Sequence, residues 1–302
     1  MPTLGPTPRG VLLSLTASCL FAAMPPYVLL LPDLPGYVLL AHRVVWSCII
    51  MAAGLALTGQ LRASLAPVFS RAVFPLIFTA TIMGVQMGLF IWAPIQGRAL
   101  ELSLGYFLLP LVMVGVGRFI FKEEIRPVQR LAIVSATLGV GAAYLHAGGL
   151  SWVVLTVALG FPFYYVIRRY QPLTPLFAFF LENIILLPPA LWAICRMGNA
   201  AHPFAFPGWD LAGFAGLALL GTIPVLCMLT AGRLLPISLF GLLSYLEPAL
   251  IFLVSLVVLK EEIPANELFT YGAILLALGF LALDGILQTR NKNAGAPLEE
   301  SS

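Results

Sequence analysis

Charge is the scarcest property of this sequence: Asp, Glu, Lys and Arg make up 10 % of its 302 residues, where a water-soluble domain carries about 25 %. A chain so poor in charge, 60 % hydrophobic and with a mean hydropathy of +0.99, cannot dress a soluble surface. Histidine is confined to His42, His146 and His202, and neither HExxH nor GxSxG nor a carboxylate cluster of metal-ligand spacing accompanies them. That argues against a metal-dependent or serine-type enzyme, and no metal or other cofactor is expected. A GxxxxGK[ST] phosphate loop is missing as well, so ATP hydrolysis within this chain is not expected to drive anything. The few cysteines, Cys19, Cys48, Cys195 and Cys227, all fall in apolar runs, where a thiol acts as a small buried side chain. The basic residues are scattered over joints between these runs instead of gathered on one face, so no nucleic-acid partner is expected.

What the chain does have is long apolar runs. A helix crossing a bilayer needs roughly 20 apolar residues at about 1.5 Å rise each. Ten such runs are predicted, at about 9–31, 36–59, 72–95, 99–121, 127–146, 150–168, 174–196, 209–232, 237–259 and 265–288. Transmembrane strands would be about half as long and alternate in polarity. The expected fold class is therefore an all-α integral membrane protein of ten transmembrane helices. Orientation follows from Lys and Arg, which accumulate on the cytoplasmic side. With the N-terminus inside, Arg9, Arg62, Arg71, Lys122, Arg126, Arg130, Arg168, Arg169, Arg233, Arg290 and Lys292 lie in cytoplasmic segments, and only Arg98, Arg196 and Lys260 lie outside. Both tails, 1–8 and 289–302, are then cytoplasmic.

The tetrapeptide KEEI occurs as Lys122–Ile125 and again as Lys260–Ile263, 138 positions on. The same shift places Pro110 on Pro248, Phe107 on Tyr245 and Gly141 on Gly279, without gaps. MPPY, Met24 to Tyr27, falls on FPFY, Phe161 to Tyr164, at a shift of 137. Two five-helix units are expected, 9–146 and 150–288. Five is odd, so the second unit is inverted, a plan shared by many secondary transporters with a substrate site near the midplane between the units. KEEI itself reads as a turn that ends a helix at the polar interface, or alternatively as a gate ion pair.

HRVVWS (His42 to Ser47), LFIWAP (Leu89 to Pro94), SLGYFLLPL (Ser103 to Leu111), FYYVIRR (Phe163 to Arg169), TIPVLCMLTA (Thr222 to Ala231) and YLEPAL (Tyr245 to Leu250) together resemble the RarD branch of the EamA proteins, in the drug/metabolite transporter superfamily. The resemblance runs in order over nearly the whole chain. It implies an inner-membrane permease of two five-helix repeats that exports small metabolites or drugs, as in multidrug efflux, in a branch named for chloramphenicol. One stretch departs from the branch pattern: where its first helix reads close to WGIxPxYxK, this chain reads FAAMPPYVL, with Phe21 for the Trp and Leu29 for the Lys.

An ionisable side chain at bilayer depth costs about 2.5–3.5 kcal/mol on insertion scales, so each one is a functional candidate unless it reaches an interface. Arg118 and Asp284 are expected to reach headgroups from helix ends, and Glu101 to cap a helix start beside Arg98. His42 and Arg43 lie roughly 10 Å deep and Glu182 roughly 12 Å deep. At the repeat shift Glu182 falls on Val44, next to Arg43, which predicts opposite charges from corresponding helices, one facing each half of the cavity. Glu247 is the deepest carboxylate, roughly 15 Å in, beside Pro248 and opposite Leu109 in the other repeat. Glu247 and Glu182 are accordingly the candidates for proton coupling. Substrate contacts are expected from Glu247, Arg43, Glu182 and His42 and from the aromatic residues Tyr27, Trp46, Trp92, Tyr106, Phe107, Tyr164 and Tyr245. Pro25, Pro110, Pro162 and Pro248 are expected to break helices and bare backbone carbonyls.

The partners implied are a small amphipathic solute and the lipid bilayer, with the protein acting as a monomer or homodimer. The competing readings are a membrane sensor or accessory subunit without transport, for which the loops are too short to hold a signalling domain, and a membrane-embedded enzyme.

Overall fold

The computed structural model describes residues 6–69, 73–147, 149–196, 208–254, 257 and 265–294. Among them there is no strand. The long helices are α1 (Pro6–Ala22), α3 (Gly36–Leu57), α5 (Val73–Ile95), α6 (Ala99–Phe119), α7 (Pro127–Ala147), α8 (Trp152–Tyr170), α9 (Pro175–Arg196), α10 (Gly208–Leu234) and α13 (Ala265–Ala294). Shorter pieces are α2 (Met24–Val28), α4 (Leu61–Leu65), α11 (Ile237–Leu243) and α12 (Leu246–Val254). Eight helices among the described residues are long and apolar enough to cross a membrane, and the chain is a multi-pass membrane protein. The predicted run 150–168 forms α8, which ends on Arg168 and Arg169 and is not among those eight.

Local chemistry sets the ends. The Ser151 hydroxyl accepts the Val154 N–H at 3.4 Å, a capping bond for a donor the first helical turn leaves free. Pro127 and Pro175 open α7 and α9, where the N–H that proline lacks has no helical partner anyway. Gly59 and Gly97 take positive φ just after α3 and α5, the left-handed step that only glycine makes without strain.

Two of the four expected proline breaks are absent. α6 runs through Pro110 and α8 through Pro162 without interruption, because one missing N–H and a local kink are tolerated when neighbouring helices supply the contacts. The first span does divide at Ala23, just before Pro25, and the run expected as one helix over 237–259 divides at Ser244 and Tyr245, just before Glu247 and Pro248. The second KEEI copy, Lys260–Ile263, lies outside the described residues.

The packing pairs like with like. α3 lies on α9, α7 on α13 and α6 on α11; α1 packs on α10 as α8 does on α5; α6 meets α8 as α1 meets α12. The close α7–α13 approach places the Ser135 hydroxyl 2.7 Å from the Ala273 carbonyl, to which it donates. The cores are apolar seams between these pairs: Phe107, Val114, Ala136, Tyr245 and Ile274 in one, Met51, Leu76, Phe179, Phe180 and Leu229 in another.

Candidate functional site

The polar side chains of the interior seek backbone that proline has opened. Tyr245, fully buried, donates to the Phe107 carbonyl at 2.9 Å, and Arg43 donates to the Gly221 carbonyl at 3.1 Å. Each acceptor stands three residues before a proline, Pro110 or Pro224, in the turn where the ring and the missing N–H loosen the helical ladder. Tyr27 donates to the Gly213 carbonyl of the same helix at 2.8 Å. A Cβ at Gly216 would strike the Tyr27 hydroxyl, and one at Gly221 would strike the Arg43 guanidinium. Glycine is therefore what lets these two side chains seat. His42, fully buried, stacks on Phe214 at 4.3 Å, and Thr222 donates to Ser47 at 2.9 Å nearby.

Glu182 and Arg43, on the corresponding helices α9 and α3, each have a different partner. The carboxylate of Glu182 faces Arg168 of α8, with Nε 3.8 Å from Oε1, and accepts the Tyr164 hydroxyl at 2.9 Å. Both charges are shut off from the surface, at 3 % and 0 % side-chain exposure. Arg168 also donates to Gln171 at 2.6 Å, and Arg233 donates to the carbonyls of Arg168 and Gln171 at 3.3 and 3.1 Å. Arg168 Nε and Nη2, Gln171 Nε2 and Glu182 Oε1 make no hydrogen bond among the described residues. The sequence placed Arg168 in the cytoplasmic interface; its burial beside Glu182 is what that reading missed, and the clue was the charge on α9 with nothing local to balance it.

Glu247 sits in the first turn of α12, immediately after the break at Ser244 and Tyr245. It is half-buried, and among the described residues no hydrogen bond or ion pair engages its carboxylate. Tyr106 of α6 and Tyr165 of α8 lie within electrostatic range of it. Tyr165, Phe161 and Phe21 each border two of the apolar cores, and Tyr106 borders two as well, yet all four are only half-buried. Tyr106 and Phe161 are 6.2 Å apart and Tyr165 meets Phe240 edge-on at 4.8 Å, so an aromatic wall adjoins the carboxylate.

The other expected site residues are placed as follows. Trp92 stands near the end of α5, 5.4 Å from Trp152, with the Arg98 guanidinium 5.9 Å from both rings, so it marks one end of the bundle and not its middle. Glu101 joins that group through Arg98 at 3.6 Å and through Ser151. Tyr245 and Phe107 pack, as above. Trp46 is half-buried on α3. Asp284 does not reach outward: it is buried and receives Arg126 at 3.0 Å and Gln129 at 3.2 Å.

The first KEEI copy closes the opposite end of the bundle. Lys122 is the one non-glycine residue with positive φ among those described, and the turn it makes aims Glu123 at α11. The Glu123 carboxylate accepts the N–H groups of Ile237 and Ser238 at 2.7 and 2.8 Å and pairs with Arg169 at 3.9 Å. Arg169 in turn lies 4.8 Å over the Phe121 ring, which stacks on Tyr170 at 6.1 Å.

No family model matches the chain. It is 44 % identical to the chloramphenicol-sensitive protein RarD of Pseudomonas aeruginosa over 282 residues, 89 % of this chain and 92 % of that one. The chain belongs to the RarD family. RarD of Salmonella typhimurium is 32 % identical over 95 % of this chain and 98 % of its own, and an uncharacterized transporter of Pasteurella multocida 33 % over 94 % and 99 %. A solved protein crystal structure shares the fold, with a TM-score of 0.66 at 18 % identity over 91 % of this chain and 97 % of that one. The RarD fold therefore supplies the frame, and the transporter names of these relatives make this a membrane transporter.

Proposed function

We propose that this RarD-family protein is a secondary permease of the inner membrane that exports a small amphipathic solute by alternating access between two inverted five-helix units, 9–146 and 150–288, with ten spans and both termini cytoplasmic. The observation that carries the reading is Glu247: a half-buried carboxylate without a partner among the described residues, at a helix break, beside the half-covered rings of Tyr106 and Tyr165. An ion that deep is costly unless something compensates it, and a bound solute or a proton supplies that compensation. The symmetric helix pairing supports the inverted repeat, as do bonds that join counterparts 138 apart, Tyr245 to Phe107 and Ser135 to Ala273.

Alternating access needs one closed end at a time. The layer of Glu123, Arg169, Phe121, Tyr170 and the start of α11 is the cytoplasmic gate in its closed form. Arg168 and Glu182 stand directly behind it, so a proton on Glu182 would loosen Arg168 and pass the change along α8 to Arg169. An aromatic wall with one carboxylate suits an amphipathic molecule bearing a cationic group. Counterflow in proteoliposomes tests the assignment: preloaded aromatic amines should accelerate uptake of the same labelled amine, and a panel of such amines and neutral aromatic antibiotics giving no counterflow above protein-free vesicles would refute it.

A further inference from the structure

Far from the aromatic wall, the turn between α6 and α7 and the first turn of α7 enclose a concave space of about 650 Å³ lined by Arg118, Glu124, Ile125, Arg126, Pro127 and Arg130. We infer that this pocket binds the phosphodiester headgroup of an anionic phospholipid. The site is independent of the transport reading.

Three guanidinium groups converge there against one carboxylate. Arg126 is committed to Asp284 at 3.0 Å. Arg118 has only a long 3.4 Å contact to the Glu123 carbonyl, and the Arg130 side chain makes no hydrogen bond or ion pair among the described residues. Two exposed arginines are thus left for an anion, and the planar guanidinium fork fits phosphate oxygens in pairs. Cations that merely follow the loop charge bias spread out; these share one cavity, of a volume typical for ligand sites.

The surroundings specify a lipid over a free anion. Leu131, Val134 and Leu138 form an outward stripe on α7 that starts beside Arg130 and is 52–59 % exposed, and Phe119 and Ile120 project from the end of α6 at 83 % and 54 %. The spacing of three and four keeps that stripe on one face. It runs from the pocket toward the membrane interior and offers an acyl chain a track while the phosphate lies among the arginines. A zwitterionic headgroup would bring its own cation to a cavity with surplus positive charge, so an anionic lipid is favoured. Basic pockets between helix ends bind acidic headgroups by the same balance of charge and depth.

The test uses the full chain in a mild, lipid-free detergent, with phosphatidylglycerol, phosphatidylcholine or inorganic phosphate added. Thermal unfolding and native mass spectrometry are the readouts. Phosphatidylglycerol should raise the Tm by binding the folded state. With about 1 kcal/mol per basic residue, Arg130→Gln should weaken that binding about 5-fold, and Arg118→Gln with Arg130→Gln about 30-fold. Arg130 is exposed and its side chain makes no bond among the described residues, so the single variant should fold as the wild type does, which its lipid-free Tm checks. Arg9→Gln with Arg62→Gln, two exposed cations outside the pocket, should leave the affinity unchanged. The site is overturned if phosphatidylcholine gives the same shift, if the pocket variants keep wild-type affinity, or if the Arg9 and Arg62 pair lowers it equally. Inorganic phosphate reproducing the full shift at the same concentration would overturn the lipid.

Discussion

Tyr245 donates its phenol to the carbonyl of Phe107 across 138 positions of sequence, and 138 is also the distance between the two KEEI copies. The two residues are counterparts in the repeat, so a bond between them sits where the halves meet themselves. Tyr245→Phe keeps the ring and removes the donor. The expected loss is about 1 kcal/mol for one buried bond, more where the Phe107 carbonyl stays unpaired. Denaturant titration in detergent measures it; a variant as stable as the wild type would show that the contact is idle.

The Arg168–Glu182 pair is closed off from solvent, and removing one member strands the other. Glu182→Gln should cost about 3–5 kcal/mol, and so should Arg168→Gln, while the double variant should lose less than the two together. A double-mutant cycle on thermal stability, with strict additivity, would dissolve the pair. Transport below wild type in a double variant that folds would assign Glu182 to coupling.

Glu247→Gln should abolish counterflow of aromatic amines while sparing neutral aromatic compounds. In the wild type, amine binding should weaken as the pH is lowered, because a protonated carboxylate no longer holds a cation; the Gln variant should bind equally poorly at every pH. Retention of the wild-type affinity and pH profile would return Glu247 to helix packing.

Two glycines of similar sequence context should answer oppositely to alanine. At Gly221 a Cβ meets Arg43, at Gly54 it meets nothing within 4 Å. Gly221→Ala should destabilise by about 1–3 kcal/mol through overpacking, and Gly54→Ala should gain up to about 1 kcal/mol of helix propensity. Melting curves of the two variants compared with wild type decide it.

The proposed orientation places Glu124 in the cytoplasm and Leu150 outside. In a cysteine-free background, an impermeant thiol reagent applied to intact cells should label Leu150→Cys and spare Glu124→Cys. The reverse pattern would invert the topology.

Helices were legible in this sequence because a bilayer allows little else: run length alone located α3, α5, α6, α7 and α9 to within a few residues. Breaks were legible only in part. Pro25 and Pro248 stand just after interruptions, whereas Pro110 and Pro162 lie in helices that neighbours hold together. Glu247 and Glu182 could be singled out by depth, since a short acid cannot reach an interface. Their partners could not. Repeat symmetry related Glu182 to the neighbour of Arg43 and named no partner for it, whereas Arg168, with its long guanidinium side chain, bends inward to it from a position that reads as interfacial. Tyr165, Phe161 and Phe21 were not among the expected site residues for another reason: an aromatic residue between two cores and one lining a cavity have the same spacing on a helix.

The bond from Glu123 to the start of α11 bridges 114 positions, and the carboxylate is the earlier partner. A ribosome releases Glu123 long before Ile237 and Ser238 exist, so the acid precedes the amide groups it will bind. Biosynthesis then has a direction: the first half can set in the membrane with its docking point prepared, and the second half is received onto it. A chain cut between α7 and α8 and expressed as two pieces should reassemble better when the front piece is made first.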